Sequence, residues 1–445
     1  MTVPMAVPPL ARGASTGPRG LLGSPYRLLM RTSLGLALGL GFSLGVYLIV
    51  GFGFGLPLAA TAPALMQAHG QAQLFGFVAL YIMAVGVQLF PRFHANPLRR
   101  PRQVSSGGLL LGLGIVLRVV SQPLPLDQPA RGPLLIVAAG LELIGVLLVV
   151  HAFGQVVLGS VQPRRGGFAV VLPATMGTSL LLSLLLNLAV AVGLAQGGLV
   201  VPGPQDEAVL HLQLWGFACS MVLAVAGRVY PRFLLLQPTR ERLLGWALVL
   251  WAAGSLGTAL VWFVLDGAAW PRLMVALLQF GGAAGYVVGL RLYEAPLRAS
   301  GTSFVTDPTR RWARVAFAFL LCGAAIDVGT AAVDAVGGTS LLTQVSAARH
   351  AVAQGFLLPI MVYMAARILP GYSGAMLHRG RQLAILIWGL FAGAALRAAG
   401  ELIGGYGPGW GVLVAIGGLL SAAIFVHFAI GLWRAPGRGR GASWP

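Results

Sequence analysis

The chain has no lysine, so all 30 of its basic residues are arginine. Acid is scarce too: Asp and Glu number 11 in 445 residues, and charged residues make up only 9% of the whole. A soluble protein of this length needs more charge to keep its surface wet, which excludes a water-soluble globular fold. The two cysteines, Cys219 and Cys322, both fall inside apolar runs and no Cys-x-x-Cys pair occurs. That argues against a disulfide framework or a thiolate metal knuckle. There is no phosphate-binding loop, no His-Glu-x-x-His and no nucleophile elbow, so the common soluble-enzyme chemistries have no anchor here. Residues 1–30 are rich in Gly, Pro and Arg and lack an early apolar core, so they read as a disordered tail rather than a cleaved signal.

What is abundant is apolar. The chain is 57% hydrophobic with a mean hydropathy of +0.83. A bilayer core of ~30 Å takes about 20 apolar residues per helix. Twelve such runs can be counted, the first at 33–54, the second at 69–91, the sixth at 208–234, the tenth at 347–370 and the last at 409–434. The fold class is therefore all-α, a polytopic membrane protein. Its net charge of +19 sits between the spans, where it speaks for topology and anionic headgroups and not for nucleic acid. Twenty-three arginines fall on the side that carries both termini. Three (Arg131, Arg272 and Arg349) fall on the other, and Arg118, Arg228, Arg367 and Arg397 lie within spans. The positive-inside rule then puts both termini in the cytoplasm of a bacterial inner (plasma) membrane protein.

Three segments repeat one pattern. They run His69-Gly-Gln71-Ala-Gln73-Leu-Phe-Gly76-Phe77 to Pro91-Arg92-Phe93, His211 to Gly216-Phe217 and Pro231-Arg232-Phe233, and His350 to Gln354-Gly355-Phe356 and Pro370-Gly371-Tyr372. Gly76, Gly216 and Gly355 stand 140 and 139 residues apart, room for four spans per repeat. The expected layout is three pseudo-threefold-related four-helix units. Their bounds are 31–164, 165–305 and 306–434, flanked by cytoplasmic tails at 1–30 and 435–445. The Pro-Arg-Phe ends are expected to stop their helices at the cytoplasmic face, with Arg228 and Arg367 snorkelling beside them, and Pro359 to kink the tenth span.

Charge inside a membrane marks function by default. Arg118, Glu142, Asp327, Asp334, Arg397 and Glu401 lie in the outer halves of their spans, at a depth similar to His69, His211 and His350. Arg397 and Glu401 are i,i+4 and can pair. Neutral imidazole is a common metal ligand and the usual axial ligand of haem. The pattern therefore makes His69, His211 and His350 the candidate metal ligands. His69/Gln73 and His350/Gln354 are i,i+4 pairs in which each glutamine is expected to orient its histidine. Arg349 or Arg397 is placed to meet haem propionates. In register, His211 matches His350, but Gln71 takes that place in the first copy, and His69 lies two residues earlier. His151 and His427 form a second, cytoplasmic-half pair, while Met361 and Met364 are read as core.

The His-x-x-x-Gln-Leu-Phe-Gly-Phe run at 69–77, the Arg-His to Gly-Phe run at 349–356 and the Arg367 to Pro370-Gly-Tyr-Ser-Gly374 end resemble the NnrS family. The layout is also similar to the haem-copper oxidase catalytic subunit. The resemblance implies a twelve-helix membrane protein that binds haem and/or copper and acts in nitric oxide response or in respiratory or denitrification metabolism, with a possible redox partner. It does not extend to a dioxygen-reducing binuclear centre. The tenth span offers only His350, the sixth only His211 and the seventh no histidine. Two other readings stay open at this point. One is a secondary transporter that uses the outer-half Arg, Asp and Glu residues. The other is an assembly or sensor protein that docks a partner. The catalytic residues, if any, and the oligomeric state are not legible.

Overall fold

The computed structural model describes residues 24–160, 171–297, 308–339, 342–368, 380–404, 407 and 409–434. Expectations for residues 1–23, the 435–445 tail, the repeat borders at 164/165 and 305/306 and the Pro370–Gly374 segment lie outside these. Among the described residues there is no strand. Twelve helices are long and apolar enough to cross a membrane: α1 (Pro25–Phe54), α2 (Ala62–His94), α3 (Pro101–Ser121), α4 (Arg131–Leu158), α5 (Val171–Ala195), α6 (Gly203–Phe233), α7 (Glu241–Val264), α8 (Ala269–Leu290), α9 (Thr309–Ala335), α10 (Leu342–Arg367), α11 (Gly380–Ile403) and α12 (Trp410–Arg434).

Two boundaries correct the sequence reading. α1 starts at Pro25, so residues 25–30, expected in a disordered tail, are helical. Proline suits the first turn, where its missing N–H has no intrahelical partner. The turn it begins buries Tyr26, Leu29, Met30, Ser33 and Leu34 at helical spacing, which gives it a packed face. Pro91 does not end its helix, expected to close at 91, whereas α6 closes within one residue of the expected 234. α2 runs on to His94 and α6 to Phe233. Both helices then end in left-handed caps, at Ala95 (φ 47°) and Leu235 (φ 50°). The Asn96 N–H donates to the Pro91 carbonyl at 3.1 Å and the Leu236 N–H to the Pro231 carbonyl at 3.0 Å.

The helices close into a ring. The most extensive contacts are the hairpins α3–α4, α7–α8 and α11–α12. Between them α4 packs on α5, α8 on α9, and α12 back on α1. Phe42 of α1 stacks on Phe425 of α12 with ring centroids 4.5 Å apart. Inside the ring α2 touches α6 and α6 touches α10. The Tyr81 hydroxyl of α2 donates to the Met361 carbonyl of α10 at 3.1 Å. With little hydrophobic force between helices in lipid, close backbone approach has to hold the hairpins together. Gly114, Gly254 and Gly393 provide it at the 140- and 139-residue spacing. A Cβ on them would lie 2.7 Å from the Ala138 carbonyl, 2.5 Å from the Gln279 nitrogen and 2.4 Å from the Ser421 hydroxyl.

The three central helices share a further feature that no local sequence rule announces. Each changes to π-helical winding at an equivalent place, over Ala72–Ala79, Leu212–Cys219 and Ala351–Leu357. A fourth such stretch, Ala37–Phe42, lies in α1. Proline does not cause them. Pro359 follows the third stretch, but its counterparts are Leu80 and Ser220. π-Winding bonds residue i to i+5, widens the turn and often marks a functional site. Gln71, His211 and His350 are the residues immediately before the three stretches.

Candidate functional site

A cavity of about 410 Å³ opens between α1, α2, α6, α10, α11 and α12. That is within the usual range of small-molecule sites, about 300–1,000 Å³. It lies towards the end of the bundle opposite the chain termini, because α2, α6 and α10 all begin there. His69, Gln73, Arg349, His350, Gln354 and Arg397 all contribute to its wall, together with Asp206. The seventh candidate, His211, does not.

The two imidazoles in the wall are held alike. His69 Nδ1 donates to the Gly41 carbonyl at 2.8 Å. Gly41 belongs to the π-helical stretch of α1, where the i→i+4 ladder is interrupted. The ring also needs the bare backbone one turn on, since a Cβ on Gly45 would lie 2.7 Å from His69 Cε1. His350 Nδ1 faces the Glu401 carboxylate at 2.9 Å, and Ser346 Oγ lies 3.1 Å from the same nitrogen. Glu401 is fully buried and takes a second hydrogen bond from Arg397 Nε at 3.2 Å. In both histidines an Nδ1–H donor and its acceptor fix the tautomer, which leaves Nε2 without the proton. Carbonyl in one case and carboxylate in the other are the usual outer partners of a ligating imidazole.

Several expected roles change. Gln73 and Gln354 do not orient the histidines. Gln73 packs its amide against Gly41, and the Gln354 oxygen is buried without a hydrogen-bond partner. The inference assumed α-helical geometry, and π-winding takes the fourth residue off the face of the first. Arg349 is not a free cation, because it is ion-paired with Glu207 of α6. His211 points elsewhere. It is buried, donates from Nε2 to Gln279 at 2.9 Å and stacks on Trp215. Among the described residues no group of three His, Cys, Asp or Glu side chains is placed to hold a metal ion. The three-histidine metal site is therefore not formed. Glu401 and Gly41 were missed as histidine partners. Glu401 was visible as the i,i+4 mate of Arg397, but its bond to His350 joins residues 51 apart.

The other intramembrane charges fall into separate groups. Glu142 accepts from Asn187 at 2.7 Å, and Arg118 reaches Asn187 at 3.4 Å and Gln122 at 2.9 Å. Arg272 pairs with Asp334 and Asp327 and lies over the Trp262 ring, 5.0 Å from its centroid. The three arginines expected on the arginine-poor side are thus each neutralised or capped. Arg349 has Glu207 and Arg272 has Asp334, while Arg131 donates to the Leu194 carbonyl in the last turn of α5 at 2.9 Å. Arg228 and Arg367, expected to snorkel, reach across to neighbouring helices. Arg228 lies 4.7 Å from the Phe93 ring centroid and Arg367 lies 5.4 Å from that of Phe233. The phenylalanine of one Pro-Arg-Phe segment thus seats the arginine of the next central helix. His151 is exposed and bonds to Gln155, away from the cavity.

The chain has the architecture of a twelve-helix membrane protein. It matches no model of a known protein family and no curated protein.

Proposed function

We propose that this is a membrane haem protein in which His69 and His350 would hold the iron, resembling the NnrS family and acting in nitric oxide response or in respiratory or denitrification metabolism. The observation that carries the reading is the pair of imidazoles in one cavity, each tied through Nδ1 and each with Nε2 left for a ligand. The wall suits such a group. It has glycine at Gly45 and Gly70 and aromatic faces at Phe42 and Phe77, while the guanidinium groups of Arg349 and Arg397 in the wall are already paired with Glu207 and Glu401. Haem is preferred to copper, since two imidazoles without a third donor match axial ligation better than a closed metal site. Two protein ligands at one iron favour electron transfer, which gives a redox partner a place.

The same reading includes the architecture. The twelve helices form three four-helix units related by a pseudo-threefold axis, with both termini in the cytoplasm of a bacterial inner membrane. The recurring 140- and 139-residue spacing of the π-helical stretches and close-packing glycines supports the first part, and the arginine bias supports the second.

The test is a reduced-minus-oxidised optical spectrum and elemental analysis of purified protein, alone and as His69→Ala and His350→Ala. A haem band in the parent that is lost or shifted in both variants is the expected result. Absence of both haem and bound metal from the parent ends the proposal.

A further inference from the structure

A second cavity, of about 90 Å³, lies on the axis where α2, α6 and α10 meet. It shares no wall residue with the imidazole cavity. Its wall is built in layers, each taking one side chain from each central helix. One layer is Ile82, Val222 and Met361, and the next is Val85, Val225 and Met364. Within each layer the members stand 140 and 139 residues apart. The void is therefore a feature of how three equivalent helices meet, and not an accident of one loose side chain. β-Branched side chains on two of the three helices are too short and too stiff at χ1 to close the axis.

Its border carries four polar side chains, Tyr26 of α1, Tyr81, Gln88 and Tyr230, and two of them have hydrogen bonds of their own. Tyr81 donates to the Met361 carbonyl, and the hydroxyls of Tyr230 and Tyr363 bond to each other. Gln88 supplies the only side-chain amide in the wall. A buried water needs two to four polar partners and a purely apolar cavity stays dry. An apolar cavity of about 150 Å³ takes benzene or xenon, so one of this size suits something no larger than a xenon atom. The wall has no charged side chain, which excludes charged ligands.

We propose that this axial cavity is a binding site for a small, uncharged, apolar molecule of the size of a diatomic gas, reached from the bilayer in which such molecules concentrate. The site is independent of haem. It stands or falls separately from the reading of the imidazole cavity.

Xenon is the probe, applied to full-length purified protein by xenon-pressurised crystallography and by xenon NMR titration. The parent should show one xenon between Val225 and Met364. Val225→Phe, which fills the axis, should lower occupancy about tenfold, and Val225→Ile should lower it by a smaller factor. The isoleucine variant guards against misfolding, because it adds one methylene. Ordered water in the cavity of the parent, no xenon there under pressure, or equal xenon uptake in parent and both variants would each overturn the proposal.

Discussion

The carboxylate of Glu401 joins His350 to Arg397: it lies 2.9 Å from His350 Nδ1 and 3.2 Å from Arg397 Nε, and it has no solvent exposure. It does two jobs with one charge. It offsets the Arg397 guanidinium inside an apolar bundle, and it fixes which imidazole nitrogen carries the proton.

Replacing Glu401 by leucine removes both. Arg397 is left as an uncompensated, mostly buried charge, at a cost of up to roughly 3–5 kcal/mol. Thermal unfolding in detergent should show a large fall for Glu401→Leu and a smaller one for Glu401→Gln, which keeps one acceptor oxygen. Adding Arg397→Met to the leucine variant should restore much of the loss. Additive losses in the double variant would show that the two side chains are not coupled.

Gly41 and Gly45 of α1 should differ sharply in their response to alanine. A Cβ at Gly45 comes within 2.7 Å of a ring atom of His69, and a rigid imidazole has to move as a whole. A Cβ at Gly41 meets the far end of the flexible Gln73, at 2.9 Å. If His69 is an axial ligand, Gly45→Ala should lower haem content about 10–100-fold in affinity, the scale seen when groups around a ligand are disturbed. Gly41→Ala should retain most of it. Haem absorbance per mole of protein is the measurement, with melting temperature alongside to separate ligand loss from unfolding.

The Arg228–Phe93 and Arg367–Phe233 contacts each hold one central helix to the next. A cation over an aromatic face is worth about 0.5–2 kcal/mol, depending on desolvation. Phe93→Leu and Phe233→Leu should each lower stability by that order. Phe93→Leu should reduce the effect of a subsequent Arg228→Ala. Equal effects of Arg228→Ala in both backgrounds would place the arginine's contribution elsewhere, such as its 2.9 Å bond to the Phe93 carbonyl.

The sequence showed the helices better than the site. Apolar runs of the right length mark all twelve spans, because lipid demands them whatever the tertiary packing. Ends were less legible. Pro91 was read as the end of its span, whereas α2 runs on to His94 and ends in a left-handed cap at Ala95, with the Asn96 N–H on the Pro91 carbonyl. Histidine type and position drew attention to His69 and His350, and the cavity contains both. Their partners were not readable. Gly41 and Glu401 come from other helices, and no spacing rule spans 28 or 51 residues. The i,i+4 assignment of Gln73 and Gln354 failed for a related reason. The winding turns π-helical from Ala72 and from Ala351, which takes each glutamine off the face of its histidine, and an i,i+4 rule presumes α-helix throughout.

Close packing between helices gives the last prediction. Gly254 of α7 faces the backbone of α8, where a Cβ would lie 2.5 Å from the Gln279 nitrogen and 2.6 Å from its Cα. Backbone cannot step aside as a side chain can, so Gly254→Ala has to spread the hairpin. The same shift displaces Gln279, the hydrogen-bond partner of His211, and strands a buried imidazole at about 1–3 kcal/mol. Gly140, in the middle of α4, meets nothing within 4 Å. There alanine removes glycine's helix penalty, a gain of up to about 1 kcal/mol. Melting temperatures should therefore move in opposite directions, down for Gly254→Ala and level or up for Gly140→Ala. A neutral Gly254→Ala would mean that α7 and α8 are not held as closely as the glycine contact requires.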